Sequence, residues 1–204
     1  MKQSRALAPT AVLAAVLTAA GAGAFAQDSA TAPASERFAA CLACHGERGV
    51  SALPLTPSLA GQPSFYAITQ LFLFREGRRQ NEAMTAVAKG MSDADLRAFS
   101  ELIGKLPAPP ASPASGAAAG DAARIARGKA LAAQHRCASC HGADYAGGQQ
   151  VARLAGQRED YLSKALVEFR NGERVGYTSA MSEALAALEA EELKDVAHYL
   201  ARAP

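Results

Sequence analysis

The chain has 204 residues, half of them hydrophobic and 20% charged, with seven Phe, five Tyr and no Trp. That balance excludes a disordered or collagenous chain, because the 17 Gly and 10 Pro follow no period. The formal charge is +2; without the first 26 residues, which carry Lys2 and Arg5, 19 charges of each sign remain. A chain so close to neutrality lacks the clustered positive charge that nucleic acid demands, so no nucleic-acid partner is expected.

The N-terminus begins with Lys2 and Arg5, continues in an apolar run from Leu7 to Ala20 and ends in Ala24-Phe25-Ala26. Small residues at the two positions a signal peptidase reads make 1–26 a cleaved secretory signal. A retained membrane anchor is the alternative, but the Leu- and Val-rich part is shorter than the roughly 20 residues a span needs. The mature chain is then expected from about Gln27 onward, in the periplasm, an oxidising compartment.

Next come Cys41-Leu42-Ala43-Cys44-His45, and 96 residues later Cys137-Ala138-Ser139-Cys140-His141; no other cysteine exists. Disulfides, a thioredoxin-like redox pair and a four-Cys zinc site are the competing readings. The CxxCH pattern, present in both pairs, points instead to covalent haem attachment. Cys41, Cys44, Cys137 and Cys140 would hold the vinyl groups of two haem c groups, with His45 and His141 beneath the iron.

The chain repeats itself around these motifs. Leu59-Ala60-Gly61-Gln62 returns as Leu154-Ala155-Gly156-Gln157, Tyr66 as Tyr161, Leu71 as Leu166, Phe74-Arg75 as Phe169-Arg170, Gly77 as Gly172 and Arg79 as Arg174. The register shift moves from 96 to 95 and then to 97, so small loop changes relate the copies. Helices are predicted at about Phe65–Glu76 and Asp160–Asn171, with Gly77 and Gly172 placed as C-terminal caps. A capping box at Ser92 opens a helix bearing Leu96, Phe99, Leu102 and Ile103, and its counterpart runs from Glu189. A further helix from Ala122 to Gln134 leads into the second haem motif.

Between the copies, residues 107–120 are rich in Pro and Ala and read as a semi-rigid linker. The expected architecture is therefore all-α, with two tandem class I cytochrome c-like haem domains, 36–106 and 121–204. Domains this small and poor in aromatics bury little apolar surface, and a covalent haem would supply the missing body of the core.

The repeat also selects the sixth iron ligands. Met84 precedes Leu96 by 12 positions and Met181 precedes Leu193 by 12, whereas Met91 aligns with Leu188 and reads as core filling. A Met thioether on the second face of the iron raises the reduction potential. His135 and His198 have no equivalents in the first copy (Ala39 and Glu101) and are read as surface or local hydrogen-bonding residues. Arg75, Arg79, Arg170 and Arg174 could pair with haem propionates, although solvated helix ends explain them equally well.

With these residues assembled, the chain resembles the cytochrome c4 family of dihaem c-type cytochromes. The two CxxCH motifs fit any c-type cytochrome, whereas the duplicated LAGQ, Phe-Arg and Met pattern is far more specific. The resemblance implies His/Met ligation at each iron, electron shuttling in the periplasm and delivery to a terminal oxidase. It also implies haems near a shared domain interface. Two departures stand out: Pro33 leaves little room for a helix before the first haem motif, and the Ala/Pro linker argues against a tight, fixed interface.

Redox protein partners follow, a respiratory donor complex and a terminal oxidase, for a monomer with peripheral membrane association as an option. Two matched Met positions favour a non-enzymatic carrier over a dihaem peroxidase-like enzyme, which needs one open iron. An electron-accepting subunit of a periplasmic dehydrogenase is the third reading.

Overall fold

The computed structural model describes residues 32–109, 119–177 and 179–203. The signal and most of the linker expected from the sequence lie outside the described residues. Nine helices occur among the described residues: α1 Ala34–His45, α2 Ser64–Arg75, α3 Glu82–Ala88, α4 Asp93–Gly104, α5 Ala119–Gln134, α6 Ala138–His141, α7 Glu159–Arg170, α8 Ala180–Leu185 and α9 Ala190–Leu200. No strand is present among them, and a lone bridge joins Gly148 to Val151. The all-α expectation holds, and no helix among the described residues is long and apolar enough to cross a membrane.

Each copy of the repeat builds the same packing. In the first, α4 packs against α1 and α2, and in the second, α9 packs against α5 and α7. Two apolar cores result, one around Phe38, Leu71, Leu96, Phe99 and Ile103, the other around Leu162, Leu166, Leu193, Val196 and Leu200. Local chemistry starts the long C-terminal helices. Ser92 and Asp95 exchange side-chain and backbone hydrogen bonds at the head of α4, and Glu189 and Glu192 do so for α9. Such reciprocal bonds satisfy N–H groups that the first helical turn would otherwise leave unpaired.

The copies differ where the sequence suggested. Pro33 caps α1, which runs straight through the first haem motif. In the second copy α5 is 16 residues long and ends at Gln134; the chain breaks at Arg136, with φ 55, before α6 carries the motif. Gly128 lets α5 cross α9 backbone to backbone: a Cβ there would lie 2.1 Å from the Asp195 carbonyl oxygen.

The expectation of a loose interface is overturned. The Gln62 side chain donates to the Arg153 carbonyl (2.9 Å) and accepts from the Arg153 N–H (3.1 Å). Its repeat mate Gln157 donates to the Ser58 carbonyl (2.9 Å) and accepts from the Ser58 N–H (2.8 Å). Ser58 and Arg153 are themselves equivalent positions, so the two copies clasp each other symmetrically. Arg158 adds a bond to the Ser51 carbonyl, and Asp160 accepts from the Leu55 N–H. Linker composition governs only the chain between the copies; these side-chain-to-backbone bonds fix the copies whatever the linker does.

Candidate haem sites and the buried arginine cluster

Cys41, Cys44 and His45 share the last turn of α1, at the three- and four-residue spacing that stacks side chains on one helix face. Cys137 caps the start of α6, and Cys140 and His141 lie within it, in the same order. No disulfide joins any of the four cysteines; Cys44 and Cys140 are exposed, and Cys41 and Cys137 are half-buried against their cores. Burial pushes the Cys41 and Cys137 thiols up from their ordinary value. No group of three His, Cys, Asp or Glu able to hold a metal ion occurs among the described residues, so the zinc alternative finds no site there.

Both motif histidines are buried, and their Nδ1 atoms are engaged alike. His45 Nδ1–H donates to the Pro57 carbonyl at 2.7 Å and His141 Nδ1–H to the Ala152 carbonyl at 2.9 Å. These bonds fix the tautomer and leave each Nε2 lone pair as the potential metal ligand. Burial lowers both histidine pKa values, which favours the neutral, ligating form. Immediately after each His, Gly46 (φ 87) and Gly142 (φ 85) turn the chain; a Cβ on Gly46 would fall 2.0 Å from the Val50 carbonyl oxygen.

Met84, on α3, packs against the core that includes Cys41, and Met181, on α8, packs against the core that includes Cys137. Met91 lies on the first core as well, and its mate Leu188 is 3% exposed, which suits a filling role. His135 makes a bond to the Ala184 carbonyl at 3.0 Å. His198 departs from the surface reading: it is 2% exposed and its Nδ1 lies 3.0 Å from Glu159 on α7.

Arg79 and Arg174 require a correction. Their solvated helix-end reading fails, because each is only 9% exposed. Arg79 donates to Gln70 Oε1 at 2.6 Å and to the Tyr161 hydroxyl at 2.7 Å, lies over the Phe74 ring and makes no ion pair among the described residues. Arg174 pairs with Glu168 at 2.8 Å and lies over the Phe169 and Tyr161 rings. Burial pushes the Tyr66 phenol up; at Tyr161 burial acts the same way, but the two guanidiniums outweigh it and bring that phenol down. Gln70 Nε2 is buried without a hydrogen-bond partner among the described residues. Two buried cations, one carboxylate and an unanswered amide describe a place built to receive anionic oxygen. The carboxylates of a haem c are such a group, and the residues present fit it. Only the Arg79–Arg174 and Tyr66–Tyr161 repeat pairs hinted at this cluster in the sequence, since the Arg79–Tyr161 bond crosses between the copies.

The Cytochrome c family matches residues 125–204 of the chain. A cytochrome c4 from Thiocapsa roseopersicina is 33% identical over 78% of this chain and 85% of that protein. A thiosulfate dehydrogenase electron acceptor from Stutzerimonas stutzeri is 36% identical, covering 79% of this chain and 78% of its own. The crystal structure of reduced recombinant cytochrome c4 from Pseudomonas stutzeri superposes with a TM-score of 0.73 at 26% identity, over 84% of this chain and 97% of that one. With two CxxCH pairs for two covalently bound haem c groups and a helical architecture shared with these electron carriers, the chain belongs to the cytochrome c4 family.

Proposed function

We propose that this dihaem cytochrome is a periplasmic electron carrier of a respiratory chain, exported by the 1–26 signal, passing electrons toward a terminal oxidase. In this reading 36–106 and 121–204 are the two haem domains and 107–120 the linker. Cys41 and Cys44 would attach the first haem, and His45 and Met84 would ligate its iron. Cys137 and Cys140 would attach the second, and His141 and Met181 would ligate its iron. The observation that carries the reading is the duplicated setting of each His, its Nδ1–H held by a backbone carbonyl, together with a matched Met on the same core. Each haem supplies a one-electron ferric–ferrous couple when bound. The chain's own residues hold His Nε2 and the Met thioether in place, exclude water and, through Arg79 and Arg174, neutralise propionate charge. A fixed ligand pair in both oxidation states keeps reorganisation on electron transfer small.

The relative named as a thiosulfate dehydrogenase electron acceptor supports a second reading of the donor, a periplasmic dehydrogenase that reduces this chain directly. Co-purification from native membranes separates the two, since it recovers either an oxidase or a dehydrogenase.

The test is a visible spectrum of the purified protein, oxidised and reduced, with and without carbon monoxide. Two low-spin haems indifferent to carbon monoxide are expected. Met84→Ala and Met181→Ala should each open one iron, whereas Met91→Ala should open neither. Carbon monoxide binding to half of the wild-type haem would displace the carrier reading.

A further inference from the structure

The segments leading to the two methionines are not equivalent. Five positions separate Arg79 from Met84, but seven separate Arg174 from Met181. The longer segment, which contains Val175-Gly176-Tyr177, reaches across to the other copy. The Tyr177 hydroxyl donates to Gln70 Oε1 on α2 while its ring meets Phe169 edge-on at 5.1 Å. Gly176, at φ 91, comes so close to α2 that a Cβ would lie 2.8 Å from Leu73, itself 3% exposed. In the first copy, Gln80 in the shorter segment bonds only locally, to the Gly77 carbonyl, and stays exposed.

The starts of the two Met helices differ in the same sense. Asn81 caps α3 and accepts the Met84 N–H at 2.9 Å, so the first copy holds its own Met. Ser179, before α8, makes no side-chain cap bond. Within the second copy Ser182 anchors α8 to the Phe169 carbonyl at 2.8 Å, and the segment before it is fixed from α2 of the first copy.

We infer that Tyr177, seated on Gln70, is a positioning residue for Met181, so that the closed state of the second iron depends on the packing of the two copies while that of the first does not. The inference rests on the reading of Met181 as an axial ligand. Its consequence is directional: a partner that pries the copies apart loosens the second haem's Met and lowers that haem's potential alone.

Imidazole serves as a probe of iron opening in the full dihaem protein. Tyr177→Phe keeps the ring on Phe169 and removes only the hydroxyl. It should raise imidazole affinity about fivefold at the second haem, the effect of losing one hydrogen bond from a closed state, and weaken that haem's Met–iron charge-transfer band. The first haem should be unchanged, and Gln80→Ala should move neither. Met181→Ala identifies the second haem as the one it opens; if it opens none, the ligand assignment itself fails. If Met181→Ala opens that iron but Tyr177→Phe leaves its imidazole affinity and band as in the wild type, or moves both haems equally, the positioning role is wrong.

Discussion

A guanidinium taken out of water without a carboxylate costs several kcal/mol unless another anion compensates. Arg79 is such a residue, with Gln70, Tyr161 and the Phe74 ring as its partners among the described residues. Its charge stabilises a reduced, less positive haem less than it destabilises the oxidised one, so removing it favours the oxidised form. Arg79→Gln should therefore lower a haem potential, by about 59 mV for each tenfold weakening of the one-electron couple. A redox titration resolving both haems checks this, and two unchanged potentials would separate Arg79 from the propionates. The spacing of Cys41, Cys44 and His45 is of another kind. It is legible in the sequence because every contact that matters lies within one helical turn.

At the scale of elements, the two copies spend the same pattern differently. Gly128 is a point of backbone contact between α5 and α9, whereas in the first copy Pro33 starts α1 only five residues before Phe38, whose ring stacks on Phe99 at 6.4 Å. Any side chain at 128 must push the Asp195 carbonyl aside. Gly128→Ala is expected to destabilise the second copy by about 1–3 kcal/mol, the range for overpacking a close contact. Thermal unfolding followed at each haem should show one transition moving down. If both moved together, the copies would be unfolding as one cooperative unit. The sequence marked a helix from Ala122 to Gln134, but only the crossing explains why a helix-weakening residue stands in its middle.

At the scale of the whole molecule, the clasp between the copies carries charge as well as amide bonds. Asp160 is held down to about 2, by Arg158 first and by the Leu55 and Tyr161 N–H groups that stabilise its charged form. A depressed carboxylate pKa contributes stability above the ordinary value near 4 and loses it as pH falls toward the folded value. Acidification from about pH 4 to pH 2 should therefore weaken the Leu55–Asp160 contact, and Asp160→Asn should remove that acid dependence. Small-angle scattering across this range would register opening of the copies in the wild type. Identical profiles for wild type and Asp160→Asn would assign the acid response to other groups.

The sequence by itself determined the chemistry and the repeat: two CxxCH turns, a Met at matched distance, a capping box at Ser92, and glycines at the helix ends. The CxxCH turns, the cap and the helix-end glycines depend on neighbours within a few positions, so helical periodicity and backbone sterics suffice to read them, and comparison of the two copies supplies the Met spacing. Only the tertiary structure decided how the copies meet. Gln62 and Gln157 looked like part of a motif and proved to be a reciprocal clasp, with Gln157 and Ser58 bonded across 99 positions. Arg79 and Arg174, for which local sequence left propionate pairing and solvated helix ends equally open, are buried, and Arg79 bonds the Tyr161 hydroxyl of the opposite copy. Pairings at that separation arise from the surfaces two folded bodies present to each other, and no local pattern in either body encodes them.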